Sequence, residues 1–470
     1  MNWGVFVYIF FCVVSLGGVA LHDEDIADGD ITIPVLWVSF FLVLYFVNVC
    51  YWSFKGRPVL TPESFFVGFY SLFHFSYVVL YVYGLSDYDS EVFYNYSALE
   101  KAIYYCLACV CVFIVFYRLS CFSNSQATDG RVLQNIYKRG ASDKNIELTY
   151  RLSKLLLLSA LLFFWIPVIP VYKVVFSDYR SLISIGEISP LGRLFWLGQY
   201  IGYAAISLYL TIKSQSGRKL NSGWSVIVLY AYMASFLLTG DRGGFISYLF
   251  MFLFAYVLYE KNIRIRNVFL VSVVLLFISS VVAVTRSQSL INPIDMIVYY
   301  IEGGTGGSLV EALNEFGISI KTVVVALTVA PKYYDFWYGA SFIDSFLLVL
   351  PNPFFDARVS EGLGVFITEV AFGPIDSTHG RGGSIAMEAY LNFWYFGVIL
   401  FALYGVFLRR VFVGLLIKTS IVRSVLFLSS IGAFSMWMRN TSGASFRIII
   451  WSVLISSFIV FLSRRMRSRS

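Results

Sequence analysis

STHGRGGSIAMEAYLNFWYFGVILFALYG, residues 377–405, joins two kinds of sequence. Its first half carries a histidine, an arginine, a glutamate and several glycines. Its second half reads as an apolar helix. Charged groups at membrane depth are costly and tend to be functional. The fold therefore turns on whether that second half belongs to a membrane.

The composition answers this. Of 470 residues, 58% are hydrophobic and 13% charged. Soluble domains usually carry about 25% charged residues. Many apolar runs approach the roughly 20 residues that a helix needs to cross a bilayer core. Hydropathy predicts spans at about 3–21, 33–54, 63–84, 102–120, 152–175, 191–213, 224–240, 243–260, 267–285, 391–408, 423–438 and 445–462. The expected fold class is an all-α polytopic membrane protein of about twelve transmembrane helices, with a large late external loop containing short helices. The first run has no basic residue before it, so it reads as a retained helix and not as a cleaved signal peptide. Cys12, Cys50, Cys106, Cys109, Cys111 and Cys121 fall in or beside these helices and read as buried thiols, without a disulfide framework or metal site.

Loop charge sets the orientation. Basic residues follow every second span: Lys55 and Arg57; Arg131, Lys138 and Arg139; Arg218 and Lys219; Arg264 and Arg266; Arg409 and Arg410; and the tail from Arg464 to Arg469. Basic loops stay in the cytoplasm, so both termini are expected there. The net charge of +7 is then a topology signal and gives no reason to expect nucleic acid as a partner. Residues 1–285 hold nine helices and a basic cytoplasmic loop at about 121–151; residues 286–390 form the external loop; residues 391–470 hold three more helices and the basic tail. The long loop contains TVVVALTVAP and SFIDSFLLVLPNPFF, each too short to span, which suggests surface-lying or re-entrant helices. The acidic loops 22–30 and 86–97 read as solvated faces. The first is alternatively an acidic, metal-holding motif of the kind found in dolichol-type glycosyltransferases.

Four arginines fall on the external side at glycine-rich or tight turns: Arg242 in TGDRGG, Arg381 in HGRGG, and Arg439 and Arg447 flanking TSGAS. Guanidinium donates two parallel hydrogen bonds and suits phosphate. Adjacent glycine lets backbone approach a ligand. The alternative is that these arginines anchor at the interface or pair with carboxylates such as Asp241. Ser384, Glu388 and Asn392 recur every four residues, with Tyr395 three further on, so they line one helix face, a stripe that descends from the external surface into the tenth span. Glu388 either serves the helix dipole or presents a carboxylate to a cavity. His379 is a proton carrier near neutral pH or a bystander in a turn.

Three stretches resemble the Wzy-type O-antigen or oligosaccharide-repeat-unit polymerases: LLTGDRGGFISYLF (237–250), GASFIDSFLLVLPNPFFDARVSEG (339–362) and GGSIAMEAYLNFWYFGVILFALYGVFLRR (382–410). Gly382, Ser384, Glu388, Tyr390, Asn392, Phe393 and Gly397 match the last pattern, while Trp394 and Tyr395 depart from it. The resemblance implies a GT-C-like glycosyltransferase in the bacterial inner membrane, with its active site facing the periplasm and no metal or other cofactor. It would move a growing glycan from undecaprenyl pyrophosphate to a new lipid-linked repeat unit. The expected roles are catalysis by Glu388 and His379, pyrophosphate binding by Arg242, Arg381, Arg439 and Arg447, and substrate positioning by Ser384, Asn392 and Tyr395. The expected partners are undecaprenyl-pyrophosphate-linked glycans, membrane lipids, a chain-length regulator and a flippase. An O-antigen ligase-like transferase and a flippase or transporter are the rival readings. The sequence shows no pair of related halves, which transporters often have.

Overall fold

The computed structural model describes residues 3–21, 31–55, 58–86, 95–120, 144–172, 191–239, 241–260, 309–347, 383–417 and 420–467, with a few single positions between them. Nearly all of the ninth predicted span, most of loop 286–390, residues 22–30 and 87–94 of the acidic loops, and residues 121–143 of the basic loop lie outside the described residues, as do His379, Arg381, Gly382 and Cys121.

Every regular element among the described residues is helical. In a medium without water, a helix satisfies its own backbone donors and acceptors. The first lobe begins with α1 (Trp3–Leu21), α2 (Thr32–Phe54), α3 (Pro62–His74), α4 (Ser76–Val82) and α5 (Tyr96–Leu119). The second contains α6 (Lys144–Val168), α7 (Gly192–Gln215), α8 (Trp224–Leu238) and α9 (Arg242–Tyr259). Then follow α10 (Leu309–Gly317), α11 (Ile320–Val329), α12 (Ala340–Leu347), α13 (Ile385–Phe393), α14 (Val398–Ile417), α15 (Ile421–Trp437) and α16 (Ser442–Arg467).

Among the described residues, six helical stretches are long and apolar enough to cross a membrane: Thr32–Phe54, Tyr96–Leu119, Ile146–Val171, Ala312–Val329, Ile385–Leu415 and Ser442–Met466. The bent pair α3 and α4 makes a seventh. Val5–Ala20, Trp224–Leu238, Gly243–Tyr259 and Ile421–Trp437 are apolar but shorter. The architecture is that of a polytopic helical membrane protein, and the count of about twelve is not reproduced in full. Two differences have local causes. The third predicted span is broken at Phe75, where the chain bends by 56°. The run TVVVALTVAP is short by itself, but α10 and α11 follow one another with only Ile318 and Ser319 between them, giving Ala312–Val329 the length of a span.

Two hydrophobic cores result. One surrounds α5, most of whose apolar residues are buried on every side of the helix, Cys106, Cys109 and Cys111 among them as free thiols. The other surrounds α7. There Gly202 has no room for a Cβ against the Tyr232 ring. Helix α15 joins the lobes: Val425, Phe427, Leu428 and Ile431 pack with the second core, and Phe434 and Trp437 with the first.

The quoted stretch folds differently from its simple reading. Helix α13 stops at Phe393, and Trp394 takes φ 55°. A 3-10 turn, Trp394–Gly397, then folds the chain back, so that a Cβ on Gly397 would strike the carbonyl of Ala389. Eight residues along a straight helix are separated by about 12 Å, so α13 and α14 are not one rod. Tyr395 consequently leaves the Ser384–Glu388–Asn392 stripe and packs on Tyr390 and Tyr105.

Gly397→Ala is expected to destabilise the folded protein by about 1–3 kcal/mol, because rigid backbone must move. Gly414→Ala on α14, where nothing lies within 4 Å, should leave stability unchanged or slightly higher. Thermal unfolding of the two variants in detergent checks the contrast.

Candidate functional site

The site grows from the start of α13. Ser384 is the N-cap, and its hydroxyl accepts from the Met387 N–H at 3.1 Å. The Thr322 hydroxyl of α11 donates to the same oxygen at 3.1 Å. One turn on, Glu388 is fully buried. A buried carboxylate is tolerated only when its lone pairs are answered. Here the Ser341 hydroxyl of α12 and the Ser442 hydroxyl of α16 both donate to Oε1, at 2.8 and 2.5 Å. The Trp437 indole N–H and the Ser442 backbone N–H donate to Oε2, at 3.0 and 2.8 Å. One further turn on, the Asn392 amide donates to the Ser341 hydroxyl at 2.7 Å, and its oxygen accepts from the Gly339 N–H at 3.1 Å. Ser345 and Ser442 share a hydroxyl–hydroxyl bond of 2.6 Å.

The network fixes the turn between α15 and α16, because Trp437 and Ser442 stand on either side of it. Arg439 lies in that turn, and its carbonyl accepts from the Gly383 N–H at 3.2 Å. The start of α9 arrives at the same place, since a Cβ on Gly243 would sit 3.3 Å from the Met436 sulfur. Asp241 caps α9 by accepting from the Gly244 N–H at 3.0 Å. Asp241–Gly244, Gly383 and the turn between Trp437 and Ser442 are therefore neighbours among the described residues.

The side chains divide as follows. The Arg439 guanidinium is 37% exposed and stands 3.8 Å from the Glu315 carboxylate of α10. A pair that exposed contributes about 0–1 kcal/mol. Arg447 on α16 donates to the Tyr200 hydroxyl of α7 at 3.4 Å. The side chain of Arg242 lies outside the described residues, as do Arg381 and His379. Ser384, Glu388 and Asn392 share one buried face; Tyr395 does not join them.

Sequence reasoning missed Ser341, Ser345, Trp437 and Ser442. The spacing of Ser341 and Ser345 placed both on one face of a helix, and Trp437 stood beside the noted arginine in WMRNTS. Nothing in the linear order paired these residues with Glu388.

An all-helical membrane bundle that buries a carboxylate beneath an arginine-bearing turn defines a polytopic membrane protein with a polar site at one end of its helices. The chain belongs to the family described as O-antigen polysaccharide polymerase Wzy, whose model matches residues 4–469. Searches of curated proteins and of solved structures gave no match. Membership makes this a repeat-unit polymerase at the level of the family, with a transferase role in polysaccharide biosynthesis and lipid-linked glycans as substrates.

Glu388→Ala removes the acceptor for four donors and leaves them buried; the expected loss is about 3 kcal/mol or more, at roughly 1–3 kcal/mol for each donor left unpaired. Trp437→Phe removes one donor and should cost less. Chemical denaturation of both variants in the same detergent reads the order; equal stability of Glu388→Ala and wild type would refute the network.

Proposed function

We propose that this protein extends a lipid-linked glycan at the periplasmic face of the bacterial inner membrane, with both termini in the cytoplasm. The growing glycan leaves undecaprenyl pyrophosphate and passes to a new lipid-linked repeat unit. A hydroxyl oxygen of the acceptor sugar bonds to the anomeric carbon of the donor. The bond from that carbon to the diphosphate oxygen breaks, undecaprenyl pyrophosphate departs with the electron pair, and the hydroxyl proton goes to a base. The family match over nearly the whole chain carries this reading.

Negative charge builds on the diphosphate as the bond breaks, and cations held beforehand near it lower the barrier. Arg242, Arg381, Arg439 and Arg447 take that role. The loose contact of Arg439 with Glu315 suits a residue that exchanges one anion for another. Glu388 serves by position: its oxygens are committed to Ser341, Trp437 and Ser442, so it holds the Arg439 turn in place. Ser384 and Asn392 support the same turn system from α13, and Tyr395 supports it through the aromatic packing behind that helix. His379 is then the candidate base. A chain-length regulator and a flippase are the partners this activity calls for.

Cells lacking the gene are expected to display a surface glycan capped with a single repeat unit; loss of every unit would instead indicate a flippase. In the complemented strain, Arg242→Lys should fail nearly as badly as Arg242→Ala, because lysine lacks the planar fork. Full-length glycan ladders from both variants would remove Arg242 from the site.

A further inference from the structure

Helix α12 is inside out. Its serines, Ser341 and Ser345, are fully buried, whereas Ile343 and Phe346 are each 62% exposed. A helix beside water presents the opposite pattern, with its apolar stripe inward. The buried serines are explained by their bonds to Glu388 and Ser442. The outward apolar residues need a second explanation.

Their surroundings supply one. The turn before α14 and the start of that apolar helix also expose apolar side chains, Phe396 at 67% and Ile399. Phe342 of α12 stacks on Phe393 at 6.0 Å, so α12 packs against the end of α13, just before that turn. Two large aromatic residues are exposed just ahead of these segments in the chain, Tyr338 before α12 and Trp394 before α14. They are the non-glycine residues with positive φ among those described, at 47° and 55°. Such backbone is strained for bulky side chains and persists where the surroundings enforce it. Here the Gly339 N–H donates to the Asn392 oxygen and the Trp337 N–H to the Leu391 carbonyl, which pins both residues with their rings outward. Tyrosine and tryptophan concentrate at the depth where hydrocarbon meets headgroups. On α12 the charged side chain is Asp344, on the flank opposite Phe342 and only partly exposed, which gives its carboxylate a route to headgroup water.

We propose that Ile343 and Phe346 of α12, rimmed by Tyr338 and Trp394, form a lipid-contact surface that lays this segment in the same leaflet as the start of α14. The occupant is bilayer phospholipid. Helix α12 then stands between the Glu388 network and the hydrocarbon, joined to that network by Ser341 and Ser345. The proposal is independent of the chemistry assigned above.

The test uses the full wild-type chain in nanodiscs whose phosphatidylcholine carries a diazirine in its acyl chain. Adducts are mapped after illumination, and a parallel sample is footprinted with hydroxyl radicals from the water side. Adducts at Ile343 and Phe346 are expected within about three-fold of those at Phe396 and Ile399, because all four would share one lipid surface. Their absence at Ile343 and Phe346, while Phe396 and Ile399 react, overturns the proposal. Hydroxyl-radical oxidation at those positions would then mean water, and protection from both labels would mean a covering protein.

Discussion

A buried carboxylate must find donors, and this requirement organises one end of the molecule. Glu388 has no water to turn to, so donors converge on it from α12, from the end of α15 and from the start of α16. Each donor belongs to an element distant in sequence. The carboxylate thereby decides where α12 lies and how the α15–α16 turn is presented. Removing it would leave those donors buried without a partner, which costs more than the bonds themselves contribute. The fold-back at Trp394–Gly397 makes the arrangement possible. It sets α13 beside the start of α14 instead of extending it, and brings Glu388 level with Ser442.

This geometry connects packing to function through Arg439. Its turn is gripped on both sides by the Glu388 network, while its guanidinium remains partly exposed against Glu315. A cation fixed in place before a ligand arrives stabilises charge without reorganising during the reaction. Helix α15, which carries this turn at its end, also packs into both cores, so the turn is referred to the whole bundle. On the function proposed above, such a turn would meet the charge that accumulates on a departing diphosphate.

Much of the bundle was legible in the sequence, because helices in lipid must be long, apolar and internally hydrogen-bonded. The span at 33–54 coincides with α2 to within one residue, and that at 102–120 falls on α5, which begins earlier, at Tyr96. The four-residue spacing of Ser384, Glu388 and Asn392 correctly placed them on one face. Periodicity stopped being informative where backbone geometry took over. The break at Phe75, the sharp turn after Phe393 and the near-continuity of α10 with α11 leave no mark in the hydropathy period. The inside-out character of α12 was hidden for a related reason: its serines are inward only because a glutamate more than forty residues later needs donors. The glycine in the family pattern at Gly397 marked the reversal, though its meaning appears only when Ala389 is seen against it.

The sharpest test is polymerisation by the purified, reconstituted Glu388→Gln variant, read as a ladder of glycan lengths. Both partners of Oε1 are hydroxyls, able to accept from an amide, and both partners of Oε2 are N–H groups, able to donate to its oxygen. Glutamine can therefore keep the network while losing the basic carboxylate. A positioning role predicts a ladder close to that of the wild type. A folded Glu388→Gln protein, equal to wild type in thermal stability yet making no bonds, would contradict the account and make Glu388 the base.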